Sequence, residues 1–446
     1  MTVEVAERTE SVLGLQAGAV EALSARNQEP TWFLDLRRRA WRFFEEIPWP
    51  TGNEEEWRRT RLTGLKLEDF RLPDGALGRE AIDRQGLPAY LREELDSIQS
   101  AGALVTENGA LRHHTLSEQL AAQGVIFTDL HTAISRHPEL IQKYFMTDNV
   151  VVDADKFTAL HAALVTGGTV LYVPRYVQVE EPLHGVTALG EGLADFAHTL
   201  IIAEEGSQVA YVDDLISQDG GSGFHSGVVE IVAEPGAVVR YMHNQDWNTR
   251  TWHFSTQKAQ MKRDAQLTWI LSSWGSRLSK INLEMQMQEP GGHGELLGLF
   301  FPSGRQHIDH HTLQNHVADH CTSDLLFKGA LRDRSRSVYS GSIKVWPKAQ
   351  KTDAFQKNDN LVLDRRARAD SIPGLEIEAD DVRCTHGATV SKIEPEYLFY
   401  LQSRTLSKFQ AEQMIVIGFF EEVLNRVPVE GVRRKLEEVI ARKIHL

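Results

Sequence analysis

Glu205-Gly206-Ser207-Gln208-Val209, Pro235-Gly236-Ala237-Val238-Val239, Arg263-Asp264-Ala265-Gln266-Leu267 and Gly292-His293-Gly294-Glu295-Leu296 are four versions of one turn-then-strand motif. Their closing apolar residues, Val209, Val239, Leu267 and Leu296, lie 30, 28 and 29 positions apart. Each leads into a short run rich in Val, Ile, Leu and Thr. Similar runs occur at 169–173, 200–203, 208–212, 228–232, 238–241, 267–271, 281–287 and 296–301. β-branched and aromatic residues in pieces of four to seven, cut by turns, read as strands. A near-fixed period of about 29 residues with strands in every unit points to a solenoid, in which each coil buries its apolar face on the next. A parallel β-helix is the simplest such object. A β-sandwich would also give many short strands, but it gives no reason for a repeat this long.

Working outward, the texture becomes helical on both sides. Three regions are expected: a mostly helical segment 1–150, a parallel β-helix core 151–391, and a helical segment 392–446. Thr31–Glu46 carries Trp32, Leu36, Ala40, Phe43 and Phe44 at helical spacing, and Pro48 and Pro50 end it. Helical pieces are also expected at 116–123 and 129–145, whereas 61–113 has no firm pattern. Near the C-terminus, Ser407 and Gln410 form a capping-box signature ahead of Met414-Ile415-Val416-Ile417, a helix apolar nearly all round. The final helix, about 430–443, sets Val432, Leu436, Val439 and Ile440 on one stripe. Its other face carries Arg433, Arg434, Lys435, Arg442 and Lys443. So apolar a terminal piece calls for packing on the solenoid end or for a partner, and the basic face suits an acidic one.

The 446 residues are 41% hydrophobic and 25% charged, ordinary globular values. A net charge of −14 argues against a free-standing nucleic-acid binder. Cys321 and Cys384 are the two cysteines, which excludes a disulfide framework and any self-contained four-cysteine metal centre. The opening residues lack the basic and apolar regions of a signal peptide, and no apolar run reaches membrane-spanning length, so a cytoplasmic location is expected.

Two constellations could carry chemistry. His307, His310, His311, His316 and His320 precede Cys321. On a strand, His307, Asp309 and His311 share one face, and His310 and Thr312 the other. A polar ladder on a solenoid face accounts for them without a metal. The second is Arg383-Cys384-Thr385-His386-Gly387-Ala388-Thr389. Cys384 and His386 leave the same strand face roughly 6.5–7 Å apart. They could join one metal or cluster site as two ligands of an incomplete set, act as a nucleophile and a base, or be a buried thiol beside a surface imidazole. No phosphate-binding loop and no dinucleotide fingerprint occurs.

Around this second stretch the chain resembles the SufB/SufD family of the SUF iron–sulfur cluster assembly machinery, and its SufD branch more closely. The match is densest over about 324–417. It includes Leu326-Phe327-Lys328-Gly329, Asp333-Arg334-Ser335-Arg336-Ser337-Val338-Tyr339, Gly341-Ser342-Ile343-Lys344-Val345 and 349–356. Asp370-Ser371-Ile372-Pro373-Gly374, Asp380-Asp381-Val382, Cys384-Thr385-His386-Gly387-Ala388-Thr389 and Leu398-Phe399-Tyr400-Leu401 continue it. Glu55-Glu56-Trp57-Arg58-Arg59-Thr60 looks like the family's N-terminal EEW element. SufB typically has acidic residues where this chain has Thr385 and Gly387. It also has a sulfur-transfer cysteine where this chain has Ala369. Asn358-Asp359-Asn360 departs from the SufD pattern, which commonly has a basic middle residue.

The resemblance implies a right-handed parallel β-helix flanked by helices, acting as a non-enzymatic scaffold in a complex with SufB and the ATPase SufC. It implies pairing with SufB through the C-terminal strands, SufC docked on the C-terminal helical region, and ATP bound only by SufC. A transient iron–sulfur cluster shared with SufB would then use His386, with Cys384 beside it as the next candidate. A flavin in the complex and a homodimer of the isolated chain are left open. The alternatives are a SufB-type paralogue and, remotely, a β-helix carbohydrate-active enzyme.

Overall fold

The computed structural model describes residues 13–73, 81–218 and 220–445. Its centre is a parallel β-solenoid. Successive strands alternate between two sheets, one of ten strands and one of nine, so every second strand in sequence is a hydrogen-bonded neighbour. Most strands run to ten residues, as in Ala194–Ala203, Phe224–Ala233, Leu278–Met287 and Asp353–Val362. They exceed the expected four to seven because polar residues such as His253, Ser255 and Gln257 continue the inter-strand ladder where the apolar run stops. Pleating sends alternate residues into the lumen. There Tyr211, Tyr241, Trp269, Leu296 and Leu325 stack in register, one per coil, as part of the largest core cluster.

The register corrects one alignment. Val209, Val239 and Leu267 are neighbours as their motifs suggest, but Leu267 pairs with Gly294, and Leu296 pairs with Trp269. The fourth motif slips by two residues. An even slip keeps every side chain on its own face, so the repeat survives it.

The N-terminal region is less helical than expected. Gly102–Glu107 and Ala110–Leu116 form an antiparallel hairpin whose first strand joins the ten-stranded sheet beside Leu183–Leu189. Residues 129–145 divide into two helices, Leu130–Arg136 and Pro138–Tyr144, because Pro138 begins a new first turn. The helix Thr31–Glu46 forms as its spacing predicts. Arg37 is fully buried and pairs with Glu29 while donating to the carbonyls of Ala163 and Val165. Trp57 stacks on Phe157, and Phe157 on Phe254, which seats the N-terminal turn on the solenoid wall.

The last two helices, Lys408–Leu424 and Glu430–His445, lie on the outer face of the ten-stranded sheet. Phe420, Val423, Leu436 and Ile440 cover Val212, Met242, Ile270 and Leu297 there. They cover a sheet face, not the solenoid end. The Ser407 and Gln410 capping box is formed. The basic face of the last helix divides: Lys435 and Lys443 turn toward the sheet, while Arg434 and Arg442 are exposed and Arg433 is half-buried. Lys435, half-buried, pairs with Asp214 at 2.7 Å and with Glu94, Lys443 donates to Gln306, and Arg442 pairs with Asp246 at the surface. No helix among the described residues is long and apolar enough to cross a membrane.

Candidate functional site at the open end of the solenoid

The two sheets end on Arg368–Ile377 and Arg383–Lys392, the last coil of the solenoid. No described strand pairs with their outer edges. Their luminal residues therefore face an opening instead of another coil, and Leu375, Ile377 and Val390 are exposed there.

Cys384 and His386 belong to this coil. Register places Cys384 on Ala354 and His386 on Gln356, and Ala354 and Gln356 are both buried in the lumen. Cys384 is half-buried and packs with the cluster of Ile343, Val345, Ala349 and Ala354. Burial, and then the Asp353 carboxylate, push its thiol up, so the protonated form prevails at neutral pH. The His386 ring is exposed and makes no hydrogen bond within the described chain. From the other terminal strand, Ser371 Oγ donates to Asn358 at 2.8 Å, and Asp370 is held between Arg336 and Arg368. Asp359, flanked by Asn358 and Asn360, takes its cation from Lys357 at 2.9 Å.

These groups can supply two donors, a borderline imidazole and a soft thiol, to a metal ion held at the opening. Among the described residues, no three His, Cys, Asp or Glu side chains stand close enough to hold a metal ion. A full coordination set would need donors from outside this chain.

The histidine-rich segment 307–320 divides by face. His307, Asp309 and His311 point outward, and His307 meets Thr60 Oγ1 at 3.1 Å. His310 and His316 point into the lumen and bond Ser273 and Ser323. His320 is exposed in a left-handed turn. Cys321 is buried, its sulfur 3.4 Å from two backbone carbonyls. Two groups went unnoticed in the sequence. Lys280 bridges Asp309 and the N-terminal turn, and Gln356 stands beneath His386. A 30-residue offset from His386, one coil, was the signal that could have pointed to Gln356.

A second exposed feature adjoins this end. The helix Pro395–Ser403 has no buried residue. Tyr397, Phe399 and Tyr400 stand out from it, with Met414 and Ile417 exposed on the next helix.

Residues 186–419 match the family described as SUF system FeS cluster assembly, SufBD core domain, and residues 21–184 match the SufBD protein N-terminal region. The chain is 32% identical to the iron-sulfur cluster assembly protein SufD of Bacillus subtilis over 436 residues, covering 95% of this chain and 97% of that protein. It is 30% identical to an iron-sulfur cluster assembly SufBD family protein of Staphylococcus epidermidis, over 94% of this chain and 90% of the relative. A SufBD family protein of Staphylococcus haemolyticus is 29% identical over the same shares.

Proposed function

The chain belongs to the SufBD family of the SUF iron–sulfur cluster assembly system, and on that premise we propose that it is the SufD-type scaffold subunit of a complex with a SufB-type paralogue and a SufC-type ATPase. The observation that carries this reading is the uncovered last coil. A long unpaired strand edge invites pairing with another chain, and stable proteins leave such edges open rarely. Here the edge is flanked by exposed Leu375, Ile377 and Val390 and presents His386 and Cys384 at the lumen mouth.

The cluster under construction is the cargo. His386 offers an imidazole nitrogen to iron, and Cys384 is a second, weaker candidate because burial holds its proton on. The remaining ligands come from the SufB-type partner seated on the edge. The exposed aromatic helix Pro395–Ser403, with Met414 and Ile417, takes the ATPase, which alone binds ATP. The chain itself performs no catalysis and works in the cytoplasm.

The test is complementation of a strain lacking its own SufD. An exposed His-to-Ala change usually alters stability by under about 0.5 kcal/mol. His386→Ala should therefore leave folding and assembly with the partners intact on size-exclusion chromatography while cluster formation collapses. Cys384→Ser should be milder. Full complementation by His386→Ala removes the site assignment, and loss of the complex makes the histidine structural.

A further inference from the structure

The luminal column that ends on His386 runs through Trp269, Leu296 and Leu325 and turns polar one position before its end, at Gln356. Gln356 is fully buried. Its Nε2 donates across the lumen to the carbonyl of Gly341 at 3.2 Å. A backbone carbonyl can only accept, so the carboxamide atom facing it must be the NH2 group, and the orientation of the amide is settled. The other atom, Oε1, is therefore an acceptor, and it is buried without a partner among the described residues. The place is made for this amide. A methyl group at position 341 would lie 2.6 Å from Gln356 Nε2 and 2.3 Å from the Tyr339 hydroxyl, so only glycine leaves the room.

A buried carbonyl oxygen that finds no donor is unfavourable. One strand further on, about 4.8 Å away along the hydrogen-bonding direction, His386 stands in register on the same face, its ring free of hydrogen bonds to the described residues. We propose that Gln356 is a positioning residue for His386: Oε1 accepts the N–H of one ring nitrogen, so the other nitrogen presents its lone pair outward to iron. A histidine ligand to a metal is ordinarily oriented this way, by an acceptor on its second nitrogen that selects the tautomer. The inference rests on the reading of His386 as an iron ligand.

The experiment uses the full chain with Gln356→Leu, Gln356→Glu and His386→Ala. Leucine is of similar size and removes both the acceptor and the donor to Gly341. Glutamate keeps an oxygen acceptor for the His386 N–H at the same place. Histidine-labelled chain at pH 8 is read by nitrogen-15 NMR, with the His386 signals identified by their loss in His386→Ala. The wild type and Gln356→Glu should show one ring nitrogen protonated and the other bare, and in Gln356→Leu the two signals should move together as the tautomers mix. In the complementation strain, Gln356→Leu should lower the activity of a cluster-dependent enzyme about 10–100-fold, with Gln356→Glu recovering most of it. An unchanged His386 tautomer in Gln356→Leu overturns the proposal. Equal losses in both Gln356 variants with a lowered melting temperature also overturn it, because they mark a packing role. Wild-type cluster formation by Gln356→Leu beside an inactive His386→Ala overturns it while leaving His386 as a ligand. Full activity of His386→Ala would remove the ligand reading alone, and the NMR comparison would still decide whether Gln356 holds the ring.

Discussion

Lys280 joins two parts of the chain that are far apart in sequence. Its ammonium donates to the Glu56 carbonyl and to Asp309 Oδ2, both at 3.2 Å, and lies 4.9 Å from the centre of the Trp57 ring. Thr60 Oγ1 donates to the same Asp309 oxygen at 2.5 Å, and His311 Nε2 sits 3.0 Å from the other. Burial alone would raise the Asp309 carboxyl, yet Lys280, His311 and Thr60 together hold it well below the usual carboxylate range. The Glu-Glu-Trp-Arg-Arg-Thr element is thus a clasp between the N-terminal region and the solenoid, made by its Trp57, its Thr60 and one backbone carbonyl. Removing one partner of a buried pair leaves an uncompensated charge. Asp309→Ala should destabilise the chain by about 3–5 kcal/mol in urea unfolding. Adding Lys280→Met should recover part of that loss, and a double variant no more stable than Asp309→Ala alone would mean that the charge pairing is not what matters.

The C-terminal helices divide into a covered pair and an uncovered one. Phe420, Val423 and Leu436 belong to the sheet-facing side, so deleting everything from 396 onward would bare Val212, Met242, Ile270 and Leu297 to water. Point changes separate the roles better than truncation. Phe420→Ala, at a fully buried position, should lower stability by about 3–5 kcal/mol in chemical denaturation. Phe399→Ser with Tyr400→Ser, on the helix with no buried residue, should shift stability by no more than about 0.5 kcal/mol per site and weaken binding of the SufC-type ATPase at least about tenfold in calorimetry. Undiminished ATPase binding by that double variant would move the docking surface elsewhere.

Across the whole molecule, the solenoid lumen holds many histidines neutral. Burial pushes His316 down to about 4 and His310 down to about 3, below the ~6.5 of a free imidazole. Between those values the unfolded chain binds protons that the folded chain cannot. Their stabilising contribution is therefore complete above pH ~6.5 and is lost as pH falls toward the folded values. Glu230 works the other way. Burial raises it to about 8, against the backbone N–H groups of Met146 and Val150 that bond its carboxylate, so its protonation favours the folded chain as pH drops. His316 has Ser323 as its partner and no carboxylate against it. His316→Gln should make the decline between pH 6.5 and 4.5 shallower by up to ~1.4 kcal/mol per pH unit. Urea unfolding over a pH series measures this, and a slope equal to wild type would show that the folded chain protonates His316 without penalty.

The four turn motifs determine a solenoid because a near-fixed period with strands in every unit is a local property of the chain, and alternation along a strand follows from backbone geometry alone. For the same reason Cys384 and His386 were legible as neighbours on one face. That this face is luminal, and that no further coil covers it, depends on where the stacking stops, which only the assembled sheets decide. Partners across coils were equally hidden. Thr60 meets Asp309 across 249 residues, and Gln356 stands in register with His386 only because the intervening turns add up to one coil. The fourth motif shows why such pairings cannot be read from spacing: its two-residue slip leaves every facing unchanged and replaces the neighbour of Leu267. The basic face of the last helix is divided for a related reason, with Lys435 and Lys443 turned inward and Arg434 and Arg442 left exposed. Periodicity tells which residues share a face, but which face turns inward is set by the carboxylates waiting on the sheet, Asp214 among them, and these are placed by the fold.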